Sequence, residues 1–149
     1  MDFAVTTGDW PEGLEAIAEK AIGQALAQAE ISVHGPLEVS ILLTNDAAQQ
    51  EINKRWRGKD SATNVLSFPQ FEPFSPLSGL LGDISLAYET VNTEAKKLDK
   101  SLEDHFIHLV IHGTLHLIGY DHETDADALV MEMLETEILS NMGVADPYA

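Results

Sequence analysis

Three histidines in the last third of the chain have the spacing of a metal site. His112 and His116 are four residues apart, so on a helix their imidazoles leave one face a single turn apart and can share an ion. Gly119 can end that helix in a left-handed conformation, which lets the turning chain bring back His122 as a third ligand. Three neutral imidazoles and an open fourth position are typical of catalytic zinc. The sequence therefore predicts one zinc ion per chain, bound by His112, His116 and His122.

The same spacing occurs in a large group of zinc proteases, but one residue differs here. Those enzymes carry glutamate directly after the first histidine, as the base that activates the metal-bound water. This chain has Gly113 at that position, and glycine has no group that can take a proton. Asp121 and Glu123 flank His122 and are the remaining candidates for a base. The pattern thus predicts a metal site without the usual peptidase machinery.

Length and composition favour one soluble domain that spans residues 1–149, with 44% hydrophobic residues. The chain has no cysteine, so nitrogen or oxygen atoms must hold any metal. Its first residues lack a basic segment followed by an apolar run, and no apolar stretch approaches the roughly 20 residues of a membrane helix. We therefore expect a cytoplasmic protein that does not engage a membrane.

The charge balance is unfavourable for an enzyme that acts on nucleic acid, because a net charge of −17 repels a polyanion at long range. The eight basic residues are unevenly distributed, however. One group surrounds Trp56 and consists of Lys54, Arg55, Arg57 and Lys59. A second, smaller group consists of Lys96, Lys97 and Lys100. The first group is consistent with cations that complement a helix dipole, or with an arginine that holds a phosphate through two parallel hydrogen bonds.

Hydrophobic periodicity predicts the order strand, helix, strand, helix, two strands and then further helices. The predicted strands cover residues 3–6, 39–43, 64–68 and 82–86, and the predicted first helix covers 12–30. A second helix is predicted with Thr44 or Asn45 as its cap and with Ala48, Ile52 and Trp56 on one face. The segment 69–82 has three prolines and two glycines, which predicts a loop, and His34 is predicted to lie in a turn.

The fourth predicted helix, residues 102–118, carries the histidine pair. Ser101 and Asp104 resemble a capping box at its start. Two apolar sectors flank a stripe of histidines at 105, 108, 112 and 116, which indicates a central buried helix with one edge at a cleft. His105 and His108 are not needed for a three-ligand site, and packing is the simpler role for both; support of a ligand histidine or contact with the substrate is the alternative for His108. A final helix is predicted from a cap at Thr124 to near Gly143.

At this point the sequence resembles a known family. HGTLHLIGYDH, together with RGKDSATNVLSF and LGDISL, resembles the YbeY family of single-domain bacterial endoribonucleases, from about Leu37 to the last helix. The resemblance implies an α+β fold in which a small mixed β-sheet of about four strands packs with helices. It also implies metal-dependent cleavage of single-stranded RNA in 16S rRNA 3′-end maturation and ribosome quality control. Ribosomal or small-subunit proteins would be the partners.

The family's functional residues carry over onto positions of this chain. Its three zinc-binding histidines correspond to His112, His116 and His122, and its essential arginine corresponds to Arg57. We predict that Arg57 and His116 are catalytic and that Arg57 and Lys59 bind the substrate. Zinc lowers the pKa of a bound water toward ~7, which makes the missing glutamate tolerable. Hydroxide and the ribose 2′-OH remain alternative nucleophiles.

Two other functions stay open from the residues alone. One is a metal-dependent hydrolase of another bond, such as an amide, with Asp121 or Glu123 as the base. A neutral amide substrate would not require Arg57 and its basic neighbours. The other is a non-enzymatic ribosome assembly factor with a structural zinc, although three protein ligands without cysteine are unusual for a purely structural site.

Overall fold

The structure is a computed structural model that describes residues 1–29 and 31–148. These residues form four strands and five helices. The elements in chain order are β1 (Asp2–Val5), α1 (Leu14–Gln28), β2 (Val33–Thr44), α2 (Asp46–Arg57), β3 (Val65–Pro69), β4 (Leu77–Ala87), α3 (Tyr88–Lys97), α4 (Leu102–Ile118) and α5 (Asp125–Asn141). The predicted end of the first helix, Glu30, lies outside the described residues.

The strands form one mixed sheet in the order β1-β2-β4-β3. Strands β1, β2 and β4 run parallel, and Ile41 in the middle pairs with Phe3 on one side and with Ile84 on the other. Strand β3 is antiparallel to β4 and forms an edge of the sheet. This arrangement confirms the predicted α+β fold with a mixed sheet of about four strands.

Helix α4 occupies the centre of the structure and packs against α1, α3, α5 and strands β3 and β4. Its two apolar sectors are buried except for the partly exposed Leu102, which leaves the histidine edge for a cleft. The hydroxyl of Ser101 accepts a hydrogen bond of 3.0 Å from the backbone N–H of Asp104, so the predicted cap is present. Burial on nearly all sides holds this helix in a fixed orientation relative to the sheet.

The strand boundaries correct two predictions. The predicted loop 69–82 is a loop only up to Pro76, because β4 begins at Leu77 and pairs with Val33 at the start of β2. His34, which we predicted in a turn, is therefore an exposed residue of β2. Because these segments contain glycine and proline, the sequence predicted a loop and a turn where strands form. The pairing of β2 with β4 has register shifts, which such residues tolerate.

The buried face of α2 also differs from the prediction. Ala48 and Ile52 are only partly buried and Trp56 is 67% exposed, whereas Gln49 and Asn53 are buried. The Gln49 amide donates to the backbone oxygen of Ser85 at 2.9 Å and accepts from the Ser85 hydroxyl at 2.8 Å. Hydrogen bonds to β4 therefore replace the apolar contacts that the periodicity suggested. Asn45, rather than Thr44, caps the helix by accepting from Ala48 N–H.

Gly113→Ala is expected to lower the melting temperature while leaving zinc binding intact. A Cβ at this position would lie 3.1 Å from Ser67 Oγ and 3.2 Å from two side-chain carbons of Ile84. Overpacking of that kind costs roughly 1–3 kcal/mol, which exceeds the gain in helix propensity of about 1 kcal/mol. Gly23→Ala in α1 is the matched control, because no atom lies within 4 Å of its added Cβ and its stability should rise. A higher melting temperature for Gly113→Ala would contradict the close-packing explanation.

No helix within residues 1–29 and 31–148 has both the length and the apolar character needed to cross a membrane.

Candidate metal centre

The structure brings the three predicted zinc ligands together. One ring nitrogen from each of His112, His116 and His122 falls within 4.8 Å of the others. His112 and His116 lie on one face of α4, and their Nε2 atoms are 2.9 Å apart. His122 comes from the segment after the helix, and its ring stacks on that of His112 with centroids 5.6 Å apart. Side chains from a rigid helix and from the turn that follows it therefore converge on one point.

The turn that returns His122 depends on Gly119. Its φ of 123° lies in the positive region that favours glycine, although it is wider than the left-handed helical value expected. A Cβ there would lie 2.9 Å from the backbone nitrogen of Phe74, which donates a hydrogen bond to Ile118 O at 3.0 Å. The loop before β4 thus packs directly against the end of α4 and leaves no room for a larger residue.

A buried carboxylate orients the first histidine of the cluster. His112 Nδ1 lies 2.5 Å from Oε1 of Glu135, whose side chain is fully buried on α5. The other oxygen of Glu135 accepts a 2.5 Å hydrogen bond from the hydroxyl of Tyr148. Since an ionised carboxylate can only accept, His112 must donate from Nδ1, which leaves the lone pair on Nε2 facing the cluster.

The surroundings of Glu135 keep it ionised. Burial alone would raise its pKa, but the neighbouring His108 and the hydrogen bonds from His112 and Tyr148 outweigh burial and lower the pKa to about 2. His108 Nε2 lies 3.7 Å from Oε1 of Glu135 and 3.3 Å from the hydroxyl of Tyr148. Burial and the Glu135 carboxylate together raise the pKa of Tyr148 above its usual value. The carboxylate is therefore the acceptor at the centre of a small network behind His112.

These residues fit a zinc ion. The donors are imidazole nitrogens, which zinc prefers, and His112 already has its lone pair directed at the other two rings. Ligating histidines usually donate their second ring nitrogen to a carboxylate or carbonyl, as His112 does to Glu135. The ring of His116 likewise hydrogen-bonds the backbone of Tyr120. Three converging ring nitrogens, on rings held by hydrogen bonds, therefore form a group that could hold a metal ion.

Arg57 reaches the same cavity as the three histidines. It is the last residue of α2, and Gly58 follows it with a φ of 69°. The cavity measures about 400 Å³, and besides Arg57 and the histidines its wall consists of Thr63, Asn64, Val65, Ser67 and Pro69. An arginine and three histidines that could hold a metal therefore face one space large enough for a phosphodiester group.

The other predicted polar residues lie elsewhere. Within the described residues, Lys59, Asp121 and Glu123 are not part of the wall of this cavity. Lys59 is exposed in the turn beyond α2, and the Asp121 carboxylate accepts from the backbone N–H of Glu123 at 3.3 Å. Arg55 lies over the ring of Trp56, with its guanidinium carbon 5.4 Å from the ring centroid. Of the first basic group, Arg57 is the one that lines the histidine cavity.

Comparison with known proteins identifies the family of this chain. The family model described as Endoribonuclease YbeY matches residues 5–143 of this chain. A protein named Endoribonuclease YbeY from Chelativorans sp. (strain BNC1) is 48% identical over 155 residues, which cover 100% of this chain and 93% of that protein. Another of the same name, from Rhizobium etli (strain CIAT 652), is 49% identical over 157 residues and covers 99% and 92% respectively. This chain belongs to the YbeY endoribonuclease family.

Membership in the YbeY family confirms the predicted family and the predicted class of enzyme. The solution structure of TM1509 from Thermotoga maritima supports the fold independently. It matches with a TM-score of 0.58 at 24% identity and covers 95% of this chain and 90% of that one. The YbeY fold and a three-histidine group that could bind a metal therefore occur together in this chain.

Two residues of this site, Glu135 and Tyr148, are not among those that the sequence predicted. A usable signal existed for Glu135, because it is an acidic residue between Met131 and Ile138 on the buried face of α5. Buried carboxylates need partners, so its position alone implied a nearby donor. Tyr148 had no such signal, since its role depends on where the end of the chain folds back. His108 contacts Tyr148, so it joins the network rather than simply packing, whereas His105 pairs with Glu94 at 2.9 Å.

The melting temperature of the chelator-treated protein is expected to fall as the pH is lowered from about 6.5 to about 4. Burial, with help from His112 and His122, lowers the pKa of His116 from 6.5 to about 4. Over this interval the unfolded chain binds a proton that the folded protein does not, so acid favours unfolding. Burial lowers the pKa of His105 as well, which acts in the same direction. His116→Ala should show a smaller fall, and an unchanged fall would contradict this assignment.

Proposed function

We propose that this chain is a zinc-dependent endoribonuclease that cleaves single-stranded RNA. The observation that carries the proposal is that Arg57 and the three histidines line one cavity. A neutral amide would not require a guanidinium there, whereas a phosphodiester carries the charge that it binds. The family assignment makes RNA the natural source of that phosphodiester. We further propose that the RNA is the 16S rRNA precursor, cleaved in the cytoplasm during 3′-end maturation and ribosome quality control, with small-subunit proteins as partners.

His112, His116 and His122 would hold the zinc through ring nitrogens. When bound, zinc acts as a Lewis acid that makes a water or hydroxyl nucleophile available at neutral pH. Glu135 accepts from His112 Nδ1 and so keeps the Nε2 lone pair of that ring directed into the cluster. The neutral form of His116, which its low pKa preserves at neutral pH, likewise leaves that imidazole able to bind. These residues hold the site ready without a conformational change.

Arg57 would bind the scissile phosphate through two parallel N–H donors and offset the charge that gathers on it in the transition state. Lys59, which is exposed and outside the wall of this cavity, would bind a neighbouring phosphate of the RNA. Asp121 and Glu123 lie outside the wall of this cavity, which argues against the amide-hydrolase alternative, in which one of them would be the base.

RNA cleavage by the wild type and by His116→Ala, prepared identically, tests the proposal. The wild type should contain one zinc per chain after dialysis at pH 7.5 and should cleave single-stranded RNA. His116→Ala should lose both properties. His34→Ala removes an exposed histidine far from the cluster in sequence and serves as the matched control. Equal cleavage by all three preparations indicates a contaminating nuclease, and a metal-free protein that is folded and active would refute the mechanism.

A further inference from the structure

Nearly all the basic residues of this acidic chain lie at two helix ends. Of eight lysines and arginines, seven belong to the two groups in the sequence, and the eighth is Lys20. One group lies at and beyond the end of α2, and the other at and just beyond the end of α3. A helix dipole favours cations at such ends. It does not explain why both ends border cavities on either side of His112.

The second cavity lies between α3, the first half of α4 and the chain end, and measures about 380 Å³. It shares Asn64, Val65 and His112 with the histidine cavity, so the two are direct neighbours. Lys97, Leu98 and Tyr148 line it, together with Glu94, whose carboxylate is engaged by His105 Nε2 at 2.9 Å. A continuous strip of surface therefore runs from Arg57, past His112, to Lys97.

The walls of the second cavity suit a nucleotide. Leu98 is 54% exposed and Tyr148 is 46% exposed, which leaves an apolar side chain and an aromatic ring open at its mouth. Unstacked bases bind to such surfaces, and lysine at the rim supplies the charge that a phosphate needs. The volume lies near the lower end of the roughly 300–1,000 Å³ typical of ligand pockets, which suits a single nucleoside.

We propose that this second cavity is a nucleotide subsite, in which Lys97 binds a phosphate next to the scissile one and the attached base stacks against Leu98 and Tyr148. The proposal rests on the proposed function and adds a path for the RNA across the metal centre. A base can enter the cavity only when it is unpaired and unstacked. The subsite therefore provides a physical reason for acting on single strands rather than on duplexes.

Charge-matched variants of the zinc-loaded full chain separate this subsite from general electrostatics. Lys97→Ala removes a cation from the cavity wall, whereas Lys96→Ala removes an exposed neighbour that is not part of that wall in the described residues. A fluorescein-labelled single-stranded oligoribonucleotide of about eight nucleotides is the probe, and its affinity is measured at several salt concentrations. For Lys97→Ala the slope of log affinity against log salt should shrink by about 0.7, the loss of one phosphate contact. For Lys96→Ala the slope should not change.

Leu98→Ser tests the stacking part of the proposal. It should raise KM for the same oligonucleotide by about fivefold or more with kcat and zinc content unchanged, because an exposed stacking surface contributes to binding and not to chemistry. Equal salt slopes for Lys96→Ala and Lys97→Ala, or an unchanged KM for Leu98→Ser, would overturn the subsite proposal. Cleavage of RNA by the wild type would still support the endoribonuclease proposal. Failure of the wild type to cleave RNA would remove both proposals.

Discussion

Arg57→Lys is expected to reduce RNA cleavage by ~10²-fold or more while zinc content and melting temperature stay at the wild-type values. Lysine keeps the positive charge but loses the planar pair of donors that can hold a phosphate. Removing one donor that stabilises the charge of a transition state typically has an effect of this size. Arg57 lines the histidine cavity from the end of α2 and is exposed, so the substitution should not disturb the core. Single-turnover cleavage of a labelled oligoribonucleotide measures the effect.

Arg55→Lys is the matched control for this prediction. It makes the same chemical change two residues earlier on α2, at a side chain that lies over Trp56. Its cleavage rate should stay within a few-fold of wild type. Lys54→Ala and Lys59→Ala should mainly weaken RNA binding and flatten its salt dependence. If Arg57→Lys cleaves RNA at the wild-type rate, Arg57 does not clamp the phosphate, and hydrolysis of a different bond becomes the better explanation.

Glu135→Leu is expected to weaken zinc binding by about 10- to 100-fold, the usual effect of removing a carboxylate behind a ligating histidine. Leucine is similar in size but cannot accept the hydrogen bond from His112 Nδ1, so the ring is no longer held with Nε2 toward the cluster. Glu135→Gln keeps a carbonyl oxygen that can accept that bond and should restore much of the affinity. Competition with a chelator of known affinity gives the zinc Kd of each variant.

Rescue by glutamine distinguishes positioning of His112 from simple packing of α5. Glu137→Leu, at an exposed position of the same helix, controls for the loss of one negative charge. Its zinc Kd should equal that of the wild type. The ¹⁵N chemical shifts of His112 in the metal-free protein provide a second measurement, since they report which ring nitrogen carries the proton. Wild-type zinc affinity in Glu135→Leu would exclude a positioning role for this carboxylate.

Local signals in the sequence were sufficient to predict helix α4 and the turn that follows it. The helix period places His112 and His116 on one face, Ser101 caps the first turn, and Gly119 permits the positive φ that ends the helix. Each of these depends on residues within a few positions along the chain. The order of elements followed from periodicity for the same reason.

The prediction was wrong where distant residues decide the environment. Gln49 and Asn53 are buried on α2 because β4 and the loop before β3 supply hydrogen bonds that no local pattern reveals. Strand β4 begins at Leu77, inside a segment rich in glycine and proline, because β2 provides a partner strand there. Tertiary hydrogen bonding overrode local propensity in both cases.

By itself, the sequence determined the family, the metal-binding pattern and the helix that presents it, since these depend on residue types at short, regular spacings. Only the tertiary structure decided which side chains join them. Arg57 and Glu135 lie far from His112 along the chain in opposite directions, and the packing of α2 and α5 around the sheet and α4 brings both to the site. The physical reason is that helix geometry relates neighbours in sequence, whereas burial of the core fixes the relative positions of distant elements.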